Sequence, residues 1–403
     1  MANTINTVKD GPGLFAKGIA QTLKDNLMFC GSVDQADKSD FDGKNGFKSG
    51  DTIYTSIPPR YVPVQDNLDI TSAIVDTVEE KAPLVLNKTA TVGMKLDSLE
   101  LATDVDVAQA LKRHGMPAAE SIAHNIESRC IEIASDAIYN SVGTAGSNAF
   151  TVADVLAART KLNQNYAPTS DRKLLMTSAS GALAVVDRKG LFQSSSEIDS
   201  QYKKGMVGTA DGFEWYEKEL LNTHANSSDV TGVAVNDAAF GEGEAVLTID
   251  GASAAVTIGS VFTIAGVYMV NPITKAVTAN LQQFVATTSS TTSIAITPAI
   301  YAGSAGLQNV DALPADDAAL VFVGAATTGL VQNLAYHPSS FKMVTAPLYS
   351  PKGVDLVASE TVDGITVNIV RDFDVKTREV ITRLDVLYGF DKVRPEWATK
   401  LTA

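Results

Sequence analysis

The stretch from Phe240 to Ile300 carries only four charged residues, Glu242, Glu244, Asp250 and Lys275. Thr, Ser, Val, Ala and Ile dominate it. Strand-like runs recur at Ala245–Ile249, Val256–Ile258, Val261–Ile264, Val267–Val270, Phe284–Thr287 and Ser293–Thr297. Turn signals separate them at Asp250-Gly251, Gly259, Gly266 and Asn271-Pro272. This pattern predicts a small all-β module of about five or six strands. The chain reads as α/β before it and again from Val310 onward. The module is therefore expected as an insertion within an α/β domain, not an addition at one end.

The remaining arithmetic narrows what such a chain can be. It has 403 residues, more than one ordinary core accommodates, so two or three domains are expected. Thirty-two Lys and Arg stand against 46 Asp and Glu, a net charge of −14. A protein that grips a nucleic-acid duplex needs clustered cations, so that class is excluded. Hydrophobic residues at 45% and charged residues at 19% fit a folded chain. No apolar run is long enough to span a bilayer, and Met1 to Gly18 lacks the pattern of a signal peptide. Cys30 and Cys130 read as two reduced thiols.

Along the chain, Phe15, Ile19, Leu23 and Leu27 recur every four residues, which predicts a short amphipathic helix. A Gly- and Asp-rich stretch from Gly31 to Gly50 follows it, so the helix is expected as an arm with little of its own neighbourhood to pack on. Two strand signals come next, Asp51–Pro58 and Leu84–Leu96. In the second, Leu84, Leu86, Ala90, Val92, Met94 and Leu96 share one face, broken only by Lys88. Extended, that run would reach about 43 Å at roughly 3.3 Å per residue. The pair reads as a long projecting β-ribbon with a mobile tip. A helix from Asp104 to His114 closed by Gly115, then a longer one opened by Pro117, is predicted next. Thr151 with Asp154 predicts a capped helix through Leu162; a short strand at Lys173–Thr177 and a helix at Ser178–Lys189 follow. The last strong strand is Glu379–Gly389.

Catalytic patterns are absent: no phosphate-binding glycine loop, no HExxH and no GxSxG. His114, His124, His224 and His337 are too scattered to make a metal set and read as surface or capping residues. Asp34, Asp37, Asp40 and Asp42 lack the spacing and closing Glu of a calcium loop, which leaves a solvated acidic segment. Lys81, Lys88 and Lys95 read as ordinary charges on a strand, not as cross-linking groups. Neither a cofactor nor a metal is expected, and no enzymatic site.

The order of parts resembles the major capsid proteins of tailed bacteriophages with the Hong Kong 97 fold. It is closest to the coat proteins of the short-tailed Salmonella phage P twenty-two and its relatives. Asp51-Thr52-Ile53-Tyr54 is similar to the segment that opens that family's ribbon. Gly259 to Val267, with Ile294-Ala295-Ile296-Thr297-Pro298, resembles strands of its inserted domain. Leu387-Tyr388-Gly389 followed by Arg394-Pro395-Glu396 resembles the end of its last long strand.

The resemblance implies an α+β chain with an N-terminal arm (1–48), an extended β-ribbon or E-loop (49–100) and the spine helix of a peripheral domain (101–149). An axial domain (150–224 and 311–375) follows, interrupted by an inserted all-β domain (225–310). The return strand and C-terminus (376–403) complete the peripheral domain. It further implies a structural protein whose partners are other copies of itself in hexamers and pentamers, with scaffolding, portal and decoration proteins, around enclosed DNA and without a membrane. Arg60, Glu79, Glu80 and Lys88 are the expected charged contacts between subunits. Two other readings stay open: a cargo shell of the encapsulin kind with the same fold, and a surface or tail β-adhesin that binds through the 240–300 module.

Overall fold

The computed structural model describes residues 11–35, 52–57, 80–97, 107–147, 150–187, 208–228, 231–303, 307–349, 353–362, 364–376 and 379–402. In chain order the elements begin with helices α1 (Gly11–Asn26) and α2 (Met28–Ser32) and strands β1 (Thr52–Ile57), β2 (Glu80–Val85) and β3 (Lys88–Asp97). Helix α3 (Val107–Ala137), β4 (Ser141–Val142), α4 (Val152–Gln164), β5 (Lys173–Met176) and α5 (Ser178–Asp187) follow. Then come β6 (Thr209–Ala210), β7 (Phe213–Glu217), β8 (Thr223–Ala225), β9 (Ala234–Val235), β10 (Val246–Asp250), β11 (Val261–Val270), β12 (Val277–Ser289), β13 (Ser293–Thr297) and β14 (Leu320–Phe322). The last are β15 (Gly329–Tyr336), β16 (Phe341–Ala346), β17 (Leu356–Val362), β18 (Ile365–Asp374), β19 (Glu379–Lys392) and β20 (Ala398–Thr402). The chain divides into two units, the first built from 1–54, 83–130 and 342–391, the second from 55–82, 131–341 and 392–403.

In the first unit β16, β19, β18 and β17 lie side by side, and β3 adds to β19. That last pairing is antiparallel over ten residue pairs, from Glu379 opposite Asp97 to Tyr388 opposite Lys88. Two expectations change here. The predicted Leu84–Leu96 strand is broken between Val85 and Lys88, because Leu86 turns into the core beside Leu84, Val344, Ala346 and Leu387. Gly389 permits that corner: a side chain there would meet the Val85 carbonyl oxygen at 2.9 Å. The second half of the ribbon thus does not project; it is a strand of its own chain's sheet. Alternation survives within it, with Thr89, Thr91, Gly93 and Lys95 exposed and Ala90 buried.

The amphipathic helix also packs where none was expected. Helix α1 sits on β17 and β18 and buries Ile19, Ala20 and Leu23, with Leu27 buried just past its end. Its partner strands lie more than three hundred residues downstream, beyond the reach of a local reading. Helix α2 follows, and the Phe29 N–H donates to the Glu127 carboxylate at 2.6 Å.

Helix α3 is one continuous helix, correcting the expected break at Gly115 and Pro117. A proline inside a helix costs about 3 kcal/mol or more. Burial of Ala118, Ala119, Ile122, Ala123, Ile126 and Cys130 outweighs it, since each large aliphatic side chain contributes about 1.5–3 kcal/mol.

The second unit holds two sheets. One has the order β4-β20-β15-β5-β7-β6, with β8 also pairing β15. Helix α4 begins at the expected cap: the Asp154 N–H donates to Thr151 Oγ1 and the Thr151 N–H donates to the Asp154 carboxylate at 3.0 Å. The apolar side of α4 packs with Leu174, Met176, Phe213, Trp215 and Leu401.

The other sheet has the order β14-β11-β12-β13-β10-β9 and its own core, centred on Leu247, Ile249, Phe262, Ile264, Phe284, Ile294 and Ile296. The runs Val261–Ile264 and Val267–Val270 form one strand here, with the register shifting between Thr263 and Tyr268 around Gly266 at φ 80°. Val256–Ile258 is not a strand.

Candidate intersubunit site

Of the four charged residues expected on the ribbon, Arg60 and Glu79 lie outside the described residues. Glu80 opens β2. Lys88 opens β3 on the same side as Leu86 and Ala90, half-buried. Its Nζ donates to the Phe390 carbonyl at 3.5 Å and to Asn87 Oδ1 at 3.4 Å. Lys95 forms an ion pair with Glu379. The cations at the base of the ribbon thus engage their own chain's last long strand. The four expected residues are not gathered into one cluster among the described residues.

A different polar group, unsuspected from the sequence, lies in the second unit. Strand β20 runs between β15 and β4, so all five of its residues are buried, Lys400 completely. Lys400 Nζ donates to the Gly259 carbonyl at 2.9 Å, at the edge of β11. Burial pushes the Lys400 ammonium down to about 7, and Asp136 opposes that shift. Asp136 lies in the last turn of helix α3, and burial pushes its carboxyl up to about 6, with Lys400 lowering it and Glu132 raising it. Gly259 sits at φ 86°, and any side chain there would collide with Asp136. His224 of β8 shares a hydrogen bond with Ser260 at 3.0 Å. Burial first, then Lys400, pushes this histidine down to about 4, so its ring is neutral at pH 7.

His224 is therefore buried, not on the surface as expected. His337 does cap: its Nδ1 accepts from the Ser339 N–H at 3.3 Å. Neighbouring bonds extend the same joint. Gln283 of β12 exchanges two hydrogen bonds with the Ser141 backbone, at 3.1 and 2.9 Å. Asn140 donates to the Ala398 carbonyl at 3.1 Å. The six-stranded sheet is thus tied to β20, β8 and β4 by directed polar contacts, beside an apolar cluster of Tyr139, Val261 and Val285. Among the described residues no group of three or more His, Cys, Asp or Glu could hold a metal ion.

The sequence model described as P22 coat protein, gene protein 5, matches residues 13–402. The chain belongs to that family of coat proteins. It is a major capsid protein of a tailed bacteriophage, with the mixed α+β fold of Hong Kong 97-type capsid proteins. No curated protein matches this coat protein. Among solved structures it is similar to one from Mycobacterium phage Che8, with 11% identity, 93% of this chain and 90% of that one covered, and TM-score 0.46. The bacteriophage PhiM1 mature capsid gives 11% identity, 87% and 81% coverage and TM-score 0.42. The CUS-3 coat protein I-domain gives 31% identity over 22% of this chain and 93% of that one, with TM-score 0.19. The Lys400 bond links strand β20 to the residue that leads into β11 of the six-stranded sheet.

Proposed function

We propose that many copies of this chain assemble as hexamers and pentamers into an icosahedral shell around double-stranded DNA, in the host cytoplasm. The family match over nearly the whole chain carries this reading. The chain's role is structural, and the net charge of −14 suits a wall that encloses DNA without gripping it. Residues 150–224 and 311–341 act as the axial domain at capsomer centres, whereas 342–375, expected there too, belongs to the first unit because β16, β17 and β18 share a sheet with β19 and β3; the six-stranded sheet is an inserted domain on the outer surface. The tip of the ribbon between β1 and β2 overlaps an adjacent subunit through Arg60, Glu79 and Glu80, and Lys88 supports its base.

Exposed apolar groups support contacts between copies in this reading. Tyr54 of β1 is 63% exposed, and Val375, beside the β18–β19 turn, is 80% exposed. Scaffolding and portal proteins guide assembly, and a decoration protein binds the finished surface. Electron microscopy of the expressed protein, with and without its upstream neighbouring gene product, tests the reading. Closed particles with fivefold vertices are expected. A preparation that stays monomeric at high concentration in both cases overturns it.

A further inference from the structure

A cleft of about 540 Å³ lies between helix α4 and strand β12, lined by Thr160, Lys161 and Gln164 on one side and Asn280, Leu281 and Gln283 on the other. Its two walls are fixed. Tyr166, just past the end of α4, exchanges hydrogen bonds with Asn271 at 3.3 and 3.1 Å. Gln283 is tied to Ser141 by the two bonds described above.

Lys161 is half-buried there and has no hydrogen-bond or ion-pair partner among the described residues. Burial alone lowers its pKa, and no charged neighbour contributes. The side-chain amides of Gln164 and Asn280 are likewise unbonded among the described residues. A partly desolvated ammonium beside two amides that make no bond among the described residues presents water-facing donors that a carboxylate can accept from. One carboxylate oxygen would take an Nζ proton and the other an amide proton. The volume exceeds that of one small ion and suits the tip of a loop.

We propose that this cleft receives an acidic loop of a second copy of the chain, with a carboxylate of that loop paired to Lys161. Every copy offers such loops, since its Asp and Glu number 46 against 32 Lys and Arg. A duplex backbone is a poor occupant, because phosphates need several cations and this cleft supplies one. The inference rests on the shell reading, in which each copy is surrounded by others.

The test mixes light and ¹⁵N-labelled subunits, scores particle formation, and treats particles and free subunits with a water-soluble carbodiimide. That reagent activates a carboxyl, and a lysine amine in contact displaces it to leave an amide that mass spectrometry maps. Links from Lys161 to Asp or Glu peptides that pair light with heavy chains are expected in particles and absent in free subunits. Lys161 should also lose its reactivity toward an amine-acetylating reagent on assembly. The proposal fails if particles form with Lys161 as reactive as in free subunits, if its links join only chains of one isotope, or if it is protected only in DNA-filled particles. If no particles form, the shell reading itself falls, and this inference falls with it.

Discussion

Lys400→Met should separate the cost of the buried ammonium from the worth of its bond. The side chain has no exposure, and its pKa falls from 10.5 to about 7 in the folded chain. At about 1.4 kcal/mol per pH unit, keeping that group buried costs at most about 4–5 kcal/mol at pH 7. Removing it forfeits the bond to Gly259, which is worth about 1.5–3 kcal/mol for a charged donor. Methionine fills nearly the same volume. The balance favours the variant by about 1–3 kcal/mol at pH 7, less the cost of leaving the Asp136 carboxyl without its cation.

The pH dependence is the sharper signature. The unfolded lysine holds its proton up to about pH 10.5, and the folded one releases it near 7. Between those values the unfolded state binds more protons, so wild-type stability should rise with pH, by up to about 1.4 kcal/mol per pH unit. The variant should lose that rise. Urea unfolding of free subunits, followed by the fluorescence of Trp215 and Trp397 between pH 7 and 9.5, measures both quantities. A variant destabilised by more than about 2 kcal/mol at pH 7, with the wild-type slope intact, would refute the reasoning.

Asp136 supplies a slope of the opposite sign: its folded pKa is raised from 3.8 to about 6, so stability should fall as pH rises through that window. Because the group is partly exposed, we expect about 1–2 kcal/mol, abolished in Asp136→Asn and read by the same urea titration. Leu23→Ala, at a fully buried position of α1, should cost about 2–5 kcal/mol; a loss under about 1 kcal/mol in thermal unfolding would mean that α1 does not pack on β17 and β18 in solution. Thr151→Ala should remove the hydroxyl's bonds to Asp154 while the backbone N–H of residue 151 keeps its bond to that carboxylate, at a cost of about 1 kcal/mol, seen as a lower urea midpoint. Lys88→Glu should leave circular dichroism unchanged and abolish closed particles in electron microscopy; normal particles would remove Lys88 from the ribbon's role.

What the sequence made legible is what short-range chemistry determines. The α4 cap needs only Thr151 and Asp154, three residues apart, and both bonds form. The strand Ser293–Thr297 was bounded by its own alternation. The misreadings share one cause, a partner distant in sequence. Pro117 would end a helix standing alone, but α3 keeps its turn because its flanking apolar residues are buried. Leu86 breaks a strand that its own pattern would continue, because Val344 and Leu387 offer it a core. The family, in contrast, was visible from the order of parts, since that order is a property of the whole chain.

Lys400 shows where local reading stops. Within Ala398–Thr402 a lysine between Thr and Leu looks like an outward residue of an edge strand. It is buried because β15 and β4 flank the strand and β11 brings the Gly259 carbonyl over it. The sequence separations are 66 residues to Leu334 on β15 and 259 to Ser141 on β4, so no window of the sequence contains the environment. A signal was nonetheless present. Gly259 reads as a turn glycine, yet a turn alone does not explain why its missing side chain leaves room for Asp136. One substitution separates the two accounts. Gly259→Ala forces a left-handed backbone and drives a methyl into that carboxylate, so it should loosen the Lys400 joint as well as the turn. If Gly259→Ala lowers stability but leaves the rise between pH 7 and 9.5 untouched, the glycine serves the turn only. If the rise shrinks with it, turn and joint are one structure, and the six-stranded sheet is held in place by a lysine that belongs to the chain's last strand.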